Sequence, residues 1–224
     1  MRVVIVANGA PLPESLLKTL SENSYVICAD GGANHAFKSG ITPNEIVGDL
    51  DSIAGHNLMQ AEKLGVKITG FSRDKDLTDF EIALNHARDL NPIEIEIACA
   101  LGRELDHTLG NLLATTREEY RDFSIRFIED NSDYSIHVIR ERTIYLFSTQ
   151  QTERFSLIPI TGKELFATIN GAVWNLKNDS IPLGSTRGIS NLSNSDELSI
   201  SVIGGTALLR INRTASLKAK RQTL

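Results

Sequence analysis

The run from Arg2 to Ala7 is apolar and β-branched almost without a break, the pattern of a strand covered on both faces. Asn8-Gly9 ends it, and beyond Pro11 and Pro13 the spacing of Leu16, Leu17 and Leu20 predicts a helix. The alternation then repeats. Further strands are predicted over Tyr25 to Ala29, at the start of Glu45 to Ile53, and over Val66 to Thr69, Ile93 to Ala100 and Phe123 to Glu129. Helices are predicted between them through Ala33, Ala36 and Phe37, and through Leu58, Ala61 and Leu64. Two more follow, through Phe80, Ala83, Leu84, Ala87 and Leu90 and through Leu109, Leu112 and Leu113. Strand and helix alternate five times, which argues an α/β fold with a mostly parallel sheet and helices on both faces.

After about Asn131 the period changes. Ile136 to Ile139, Thr143 to Phe147, Arg154 to Ile158, Leu165 to Ile169, Leu198 to Ile203 and Ala207 to Ile211 are short apolar runs. Turn-formers such as Gly162, Gly171, Gly184 and Gly204-Gly205 separate them. No helical period runs through them, so a small antiparallel β domain is expected, a sandwich or a barrel. The expected division is 1–130 and 131–224, with no low-complexity linker between.

In an open parallel sheet, ligands bind beyond the carboxyl ends of the strands. Asp30 follows the second predicted strand, Asp49 and Asp51 the third, Asp74, Asp76 and Asp79 the fourth, and Asp106 the fifth. In an extended segment Asp49 and Asp51 would share a face, and two carboxylates that close repel unless a cation lies between them. Oxygen donors of this kind suit Mg²⁺. Each group also has a plainer reading. A lone Asp-x-Asp closes a strand with a polar turn, Thr78 and Glu81 fit a capping box, and Asp106 fits a helix N-cap. A capping box does not need three acids around Lys75, and their recurrence after successive strands favours the metal site.

The net charge of -5 and the lack of a basic stripe argue against a nucleic-acid partner. The basic run Lys218 to Arg221 lies in a short polar tail expected to be solvated. No apolar run is long enough to span a bilayer and no signal-peptide pattern opens the chain, so a soluble cytoplasmic protein is expected. Cys28 and Cys99 fall inside predicted strands with no histidine cluster, which suggests neither a disulfide framework nor a zinc site. P-loop, dinucleotide-fold, zincin and nucleophile-elbow motifs are all missing. A phosphate-handling site would therefore use carboxylate-held metal, with Lys75 as a counter-charge.

Five ordered motifs carry a resemblance. They are Asn8-Gly9, Asp30-Gly31-Gly32-Ala33-Asn34, Gly48-Asp49-Leu50-Asp51-Ser52, Asp74 to Glu81, and Asp106-His107-Thr108-Leu109-Gly110-Asn111. In this order they resemble the thiamine pyrophosphokinases. The second half continues the likeness with Ser156-Leu157-Ile158-Pro159, Gly171 to Leu176 and Ser190-Asn191. The chain departs from the family pattern at Glu104, where an arginine is usual and Arg103 stands one place earlier. It departs again at Gly188 and Leu192, where a serine and an acid are common.

The resemblance implies a Rossmann-like catalytic domain followed by a β-sandwich that helps bind thiamine. It also implies a homodimer whose active sites draw on both subunits. By the same likeness, Asp49, Asp51 and Asp79 are the Mg²⁺ ligands, and they are catalytic together with Asp106. Asp30, Lys75, Thr78, Arg103 and Asn111 are implied around ATP and its phosphates, and Ser190 and Asn191 at thiamine. Trp174, the single tryptophan, is weighed as a ring for thiamine to stack on and as core, the commoner place for a lone tryptophan in a β domain, and is left out of the expected site. The implied reaction is ATP-dependent diphosphate transfer to the thiamine hydroxyl, with AMP leaving. Three rivals are weighed against it. An aspartyl-phosphate phosphatase would carry Asp-x-Asp after its first strand instead of its third. A pterin diphosphokinase lacks the thiamine-type β domain, and a sensing module would not need an intact metal cluster.

Overall fold

The structure, a computed structural model, describes residues 1–129 and 133–222. The chain forms two compact units, Met1–Ser132 and Asp133–Leu224. The expected boundary, between Asp130 and Asn131, lies outside the described residues.

In the first unit β1 (Arg2–Val6), β2 (Tyr25–Ala29), β3 (Glu45–Gly48), β4 (Lys67–Gly70), β5 (Glu94–Ala98) and β6 (Ser124–Ile128) alternate with five helices. The helices are α1 (Glu14–Ser21), α2 (Gly32–Lys38), α3 (Gly55–Lys63), α4 (Asp79–Asp89) and α5 (Leu105–Ala114). The strands stand in the order β6-β5-β1-β2-β3-β4, and each pair is parallel. Successive side chains on a strand take opposite faces. Val4, Val26 and Ile46 therefore meet Leu17, Ala33 and Ala61 of α1 to α3 in one apolar cluster. Glu45, next to Ile46, faces the other way and meets His86 of α4 at 3.0 Å. Helices thus cover both faces. The chain builds outward from β1 to β4, then returns to place β5 on β1's other edge. From there the chain goes on to opposite sides of the sheet, β1 to β2 and β5 to β6, which marks the switch point where a crevice forms. The two loops stay paired at first, the Gly9 amide donating to the Cys99 carbonyl at 2.6 Å and the Ala10 amide to the Leu101 carbonyl at 3.0 Å.

Local chemistry sets the element ends. Thr78 caps α4, its hydroxyl accepting from the Glu81 amide at 3.2 Å, as the capping box predicts. Asp106 is not the cap of α5. That position is Glu104, and Asp106 sits in the first turn with its carboxylate on the His107 amide at 2.8 Å. The α5 leucines are not the buried face their spacing suggests: Leu109 is 49% exposed and Leu113 48%.

The second unit holds β7 (Tyr134–Ile139), β8 (Thr143–Ser148), β9 (Arg154–Pro159), β10 (Glu164–Asn170), β11 (Leu176–Pro182), β12 (Asn191–Leu192), β13 (Glu197–Ile203), β14 (Ala207–Asn212) and β15 (Ser216–Gln222). Antiparallel pairing gives two sheets, β12-β9-β14-β7 and β11-β10-β13-β8-β15. Phe155, Leu157 and Leu209 of the first meet Phe147, Leu165 and Ile200 of the second in one core, so the unit is a sandwich. Three strands escaped the sequence pattern, one of them the two-residue β12. β11 reads LKNDSIP, too polar in its middle to register as a strand. β15 contains the basic run expected to be a solvated tail, and instead its backbone pairs with β8.

Candidate active site

The cleft forms at the carboxyl ends of the parallel strands, with a volume of about 410 Å³. Two glycines let the elements close on it. A Cβ on Gly32 would lie 2.0 Å from the Val6 carbonyl oxygen, so α2 can start against β1 only with glycine there. Gly48, with φ at 144°, ends β3, and a Cβ on it would lie 3.0 Å from Asp79 Oδ1.

Leu50 then adopts φ of 65°. That left-handed turn breaks the extended path on which Asp49 and Asp51 would share a face. Asp49 turns inward and joins Asp30 and Asp79, with carboxylate oxygens from the three all within 4.8 Å of one another. Asp51 turns outward and pairs with the Arg73 guanidinium. The inner trio is therefore Asp30, Asp49 and Asp79, with Asp51 beside it and not within it.

The electrostatics follow from that crowding. Burial pushes the Asp30 carboxyl above the usual carboxylate range, Ser52 and the Gly31 amide pull it back by hydrogen bonding, and neighbouring Asp79 adds to the rise. Lys75 Nζ lies 2.9 Å from Asp79 Oδ1 and 3.8 Å from Asp49 Oδ2. The Asp79 contact is an ion pair without the alignment of a hydrogen bond. Burial alone would lower the Lys75 ammonium, but Asp79 first, then Asp49 and Asp30, raise it. Asp51 is held below its usual range by the Ser52 hydroxyl and by Arg73.

Asp30, Asp49, Asp51, Lys75, Thr78, Asp79, Arg103 and Asn111 all line the cleft. Arg103 reaches it despite its shifted place in the sequence, with Nη1 donating to the Asn8 carbonyl at 3.0 Å. Asn111 is buried and donates to the Ala100 carbonyl at 2.8 Å, which pins the turn from β5 into α5. Asp106 does not line the cleft, although Glu104 and His107 on either side of it do. Arg73 was missed by sequence reasoning. Its signal was a second base two places before Lys75 in the same acidic stretch.

Ser190 and Asn191 belong to the second unit and stand apart from this lining. Ser190 has φ of 62°, and its amide donates to Ser156 Oγ at 3.0 Å. The buried Asn191 side chain accepts from the Trp174 amide at 3.2 Å and donates to the Trp174 carbonyl at 2.8 Å. Trp174 is not core. It is 59% exposed, an aromatic ring presented to solvent by a backbone that Asn191 holds.

Comparison with known proteins bears on both units. Residues 16–127 match the thiamin pyrophosphokinase catalytic domain, and residues 134–205 match the thiamin pyrophosphokinase vitamin B1 binding domain. Thiamine pyrophosphokinase from Bacillus subtilis is 31% identical over 192 residues, 84% of this chain and 87% of that protein. Thiamine pyrophosphokinase 1 of Arabidopsis thaliana is 28% identical over 223 residues, 89% of this chain and 82% of its own. The crystal structure of the Bacillus subtilis protein matches with a TM-score of 0.80 at 26% identity, covering 95% of this chain and 99% of that one. On these matches the chain belongs to the thiamine pyrophosphokinase family, enzymes that transfer pyrophosphate from ATP to thiamine to form thiamine diphosphate and AMP.

Proposed function

We propose that the cleft of the first unit holds Mg²⁺ and ATP, and that the chain passes the terminal diphosphoryl group to the thiamine hydroxyl. The carrying observation is the trio of carboxylates with Lys75 at their edge, placed at the carboxyl ends of a parallel sheet. The donor set fits the ion: hard carboxylate oxygens gathered at one point, whose mutual repulsion a divalent cation would offset. Asp49 and Asp79 of the trio are proposed ligands together with Asp51, which the family likeness adds from beside it, and Asp30 is the trio's remaining carboxylate. When bound, Mg²⁺ would offset charge on the phosphate oxygens in flight.

The chain's own groups do the rest. Lys75, Arg73 and Arg103 bring positive charge to the cleft, and the Thr78 hydroxyl, which accepts from Glu81, keeps its proton free to donate to a phosphate oxygen. The thiamine oxygen bonds to the β-phosphorus, the bridge between the α- and β-phosphorus opens, and AMP leaves. The hydroxyl proton passes to a carboxylate of the site. Asp106, catalytic by the family likeness, stands outside the cleft lining but between Glu104 and His107, which belong to it. Ser190 and Asn191 of the second unit serve thiamine, with Trp174 as a ring on which it stacks. The protein is read as a cytoplasmic homodimer with shared active sites, and without nucleic-acid or membrane partners. The family likeness supports the dimer, and two buried cysteines that form no disulfide suit a reducing compartment. Among the described residues no helix is long and apolar enough to cross a membrane.

With ATP labelled at the β-phosphorus, the label is expected in thiamine diphosphate, with AMP formed in equal amount. ADP and thiamine monophosphate as products would overturn the mechanism. A second measurement addresses thiamine. Asn191→Ala frees the backbone that presents Trp174 and should raise the KM for thiamine about tenfold, the scale of one lost buried hydrogen-bonding partner. The KM for ATP should stay put, and an equal rise in both would remove Asn191 from the thiamine site.

A further inference from the structure

We propose that Asn34 is a positioning residue for the transfer reaction, one that sets the loop carrying Asp49 and Asp51 without touching the reactants. The proposal rests on the reading above that this loop supplies metal ligands. Asn34 lies on α2, four residues beyond Asp30, and does not line the cleft. Its Nδ2 donates to the Ser52 carbonyl at 2.8 Å. Its Oδ1 accepts from the Ala54 amide at 3.0 Å and from Asn57 Nδ2 at 2.8 Å. Asn57, at the start of α3, is itself buried.

The stretch between β3 and α3 is thus held at its far end by one side chain. Asp30 adds a second hold, its Oδ1 accepting from the Ser52 amide at 3.3 Å. Between this clamp and the end of β3 stand only Asp49, Leu50 and Asp51. Leu50 is left-handed there, a conformation that a non-glycine residue keeps only when its surroundings enforce it. Release the clamp and Leu50 can relax to a common backbone angle, which turns Asp49 out of the trio. Groups that orient metal ligands from behind typically change metal affinity or activity by about 10- to 100-fold when removed.

The test uses the full chain and two readouts, the Mg²⁺ dependence of the rate and the binding of Mn²⁺ followed by its magnetic resonance signal. Asn34→Ala is expected to raise the Mg²⁺ needed for half-maximal rate by about tenfold or more and to weaken Mn²⁺ binding in parallel. The KM for thiamine should not move. A residue that merely supports the fold would lower the melting temperature and the active fraction and leave the Mg²⁺ dependence alone. Asn34→Asp keeps both acceptor contacts, loses the donor to Ser52 and turns a carboxylate oxygen against the Ser52 carbonyl in its place. Its added charge favours cations, so weaker Mn²⁺ binding in that variant can come only from geometry, and it carries the test should Asn34→Ala fail to fold. Unchanged metal dependence in the folded variants overturns the proposal. Asp49→Asn separates it from the reading beneath. If that variant still binds Mn²⁺ normally, the metal assignment is wrong, whereas loss there with normal Asn34 variants removes the positioning role alone.

Discussion

Asp49→Asn should lower kcat by about 10²–10³ at saturating Mg²⁺, the scale seen when one preorganised electrostatic group is lost, and should leave the fold intact. Asn has nearly the shape of Asp, so the backbone around Gly48 and Leu50 need not move. The change also removes one of three carboxylates whose oxygens lie within 4.8 Å of each other. Relief of that repulsion offsets the lost ion pairs to Lys75 and Arg73, each a long one at 3.8 Å. A thermal melt no lower than wild type, with a collapsed rate, is the expected combination. A rate within a few-fold of wild type would take Asp49 out of the metal site.

The largest effect on stability is expected far from the cleft. Glu96 is fully buried in β5 and faces Arg126 across the β5–β6 pairing, with Nε at 2.6 Å and Nη2 also in contact. Arg2 approaches from the β1 side at 3.6 Å. Removing one partner of a buried pair leaves a charge without compensation, at a cost of about 3–5 kcal/mol. Because Arg2 remains, Arg126→Leu should sit near the lower end, about 3 kcal/mol in urea unfolding. The double change Glu96→Leu with Arg126→Leu should recover most of that, since a well-packed apolar pair often equals a buried ion pair. Equal losses in the single and double variants would show that packing, not the stranded charge, governs the site.

That ion pair also marks where reading the sequence stopped. The strand over Glu94 to Ala98 was legible from its apolar residues, but the alternating acids acquire meaning only when β6 is placed beside it. The α/β alternation and the acids after each strand were legible because both depend on local period and order. Asp30, Lys75, Thr78 and Arg103, which the family likeness implies around ATP, line one cleft. What the sequence hid was backbone sign. The left-handed turn at Leu50 exchanged Asp51 for Asp30 in the inner trio, and no side-chain pattern announces such a turn at a leucine. Trp174 was misjudged because a lone tryptophan gives no period, and its exposure depends on Asn191 far along the chain. β15 was missed because its alternation is carried by long charged side chains. Strand pairing needs backbone groups and a partner edge, and a basic sequence supplies the first as well as an apolar one does.

The strand order has a consequence for how the chain is made. Of the six strands of the first unit β1 is made first, and it becomes the middle of the sheet, with Val3 opposite Tyr25 on one side and Arg2 opposite Glu94 on the other. One edge is therefore satisfied early, by β2. The other, lined by fully buried valines and an isoleucine, stays open until β5 has been synthesised. An open apolar edge is a template for the wrong partner, and parallel pairing across so long a separation is slow to form. The segment that anchors the finished protein is thus the one longest at risk during translation. Chains stalled before β5 should be the form that chaperones hold and proteases clear.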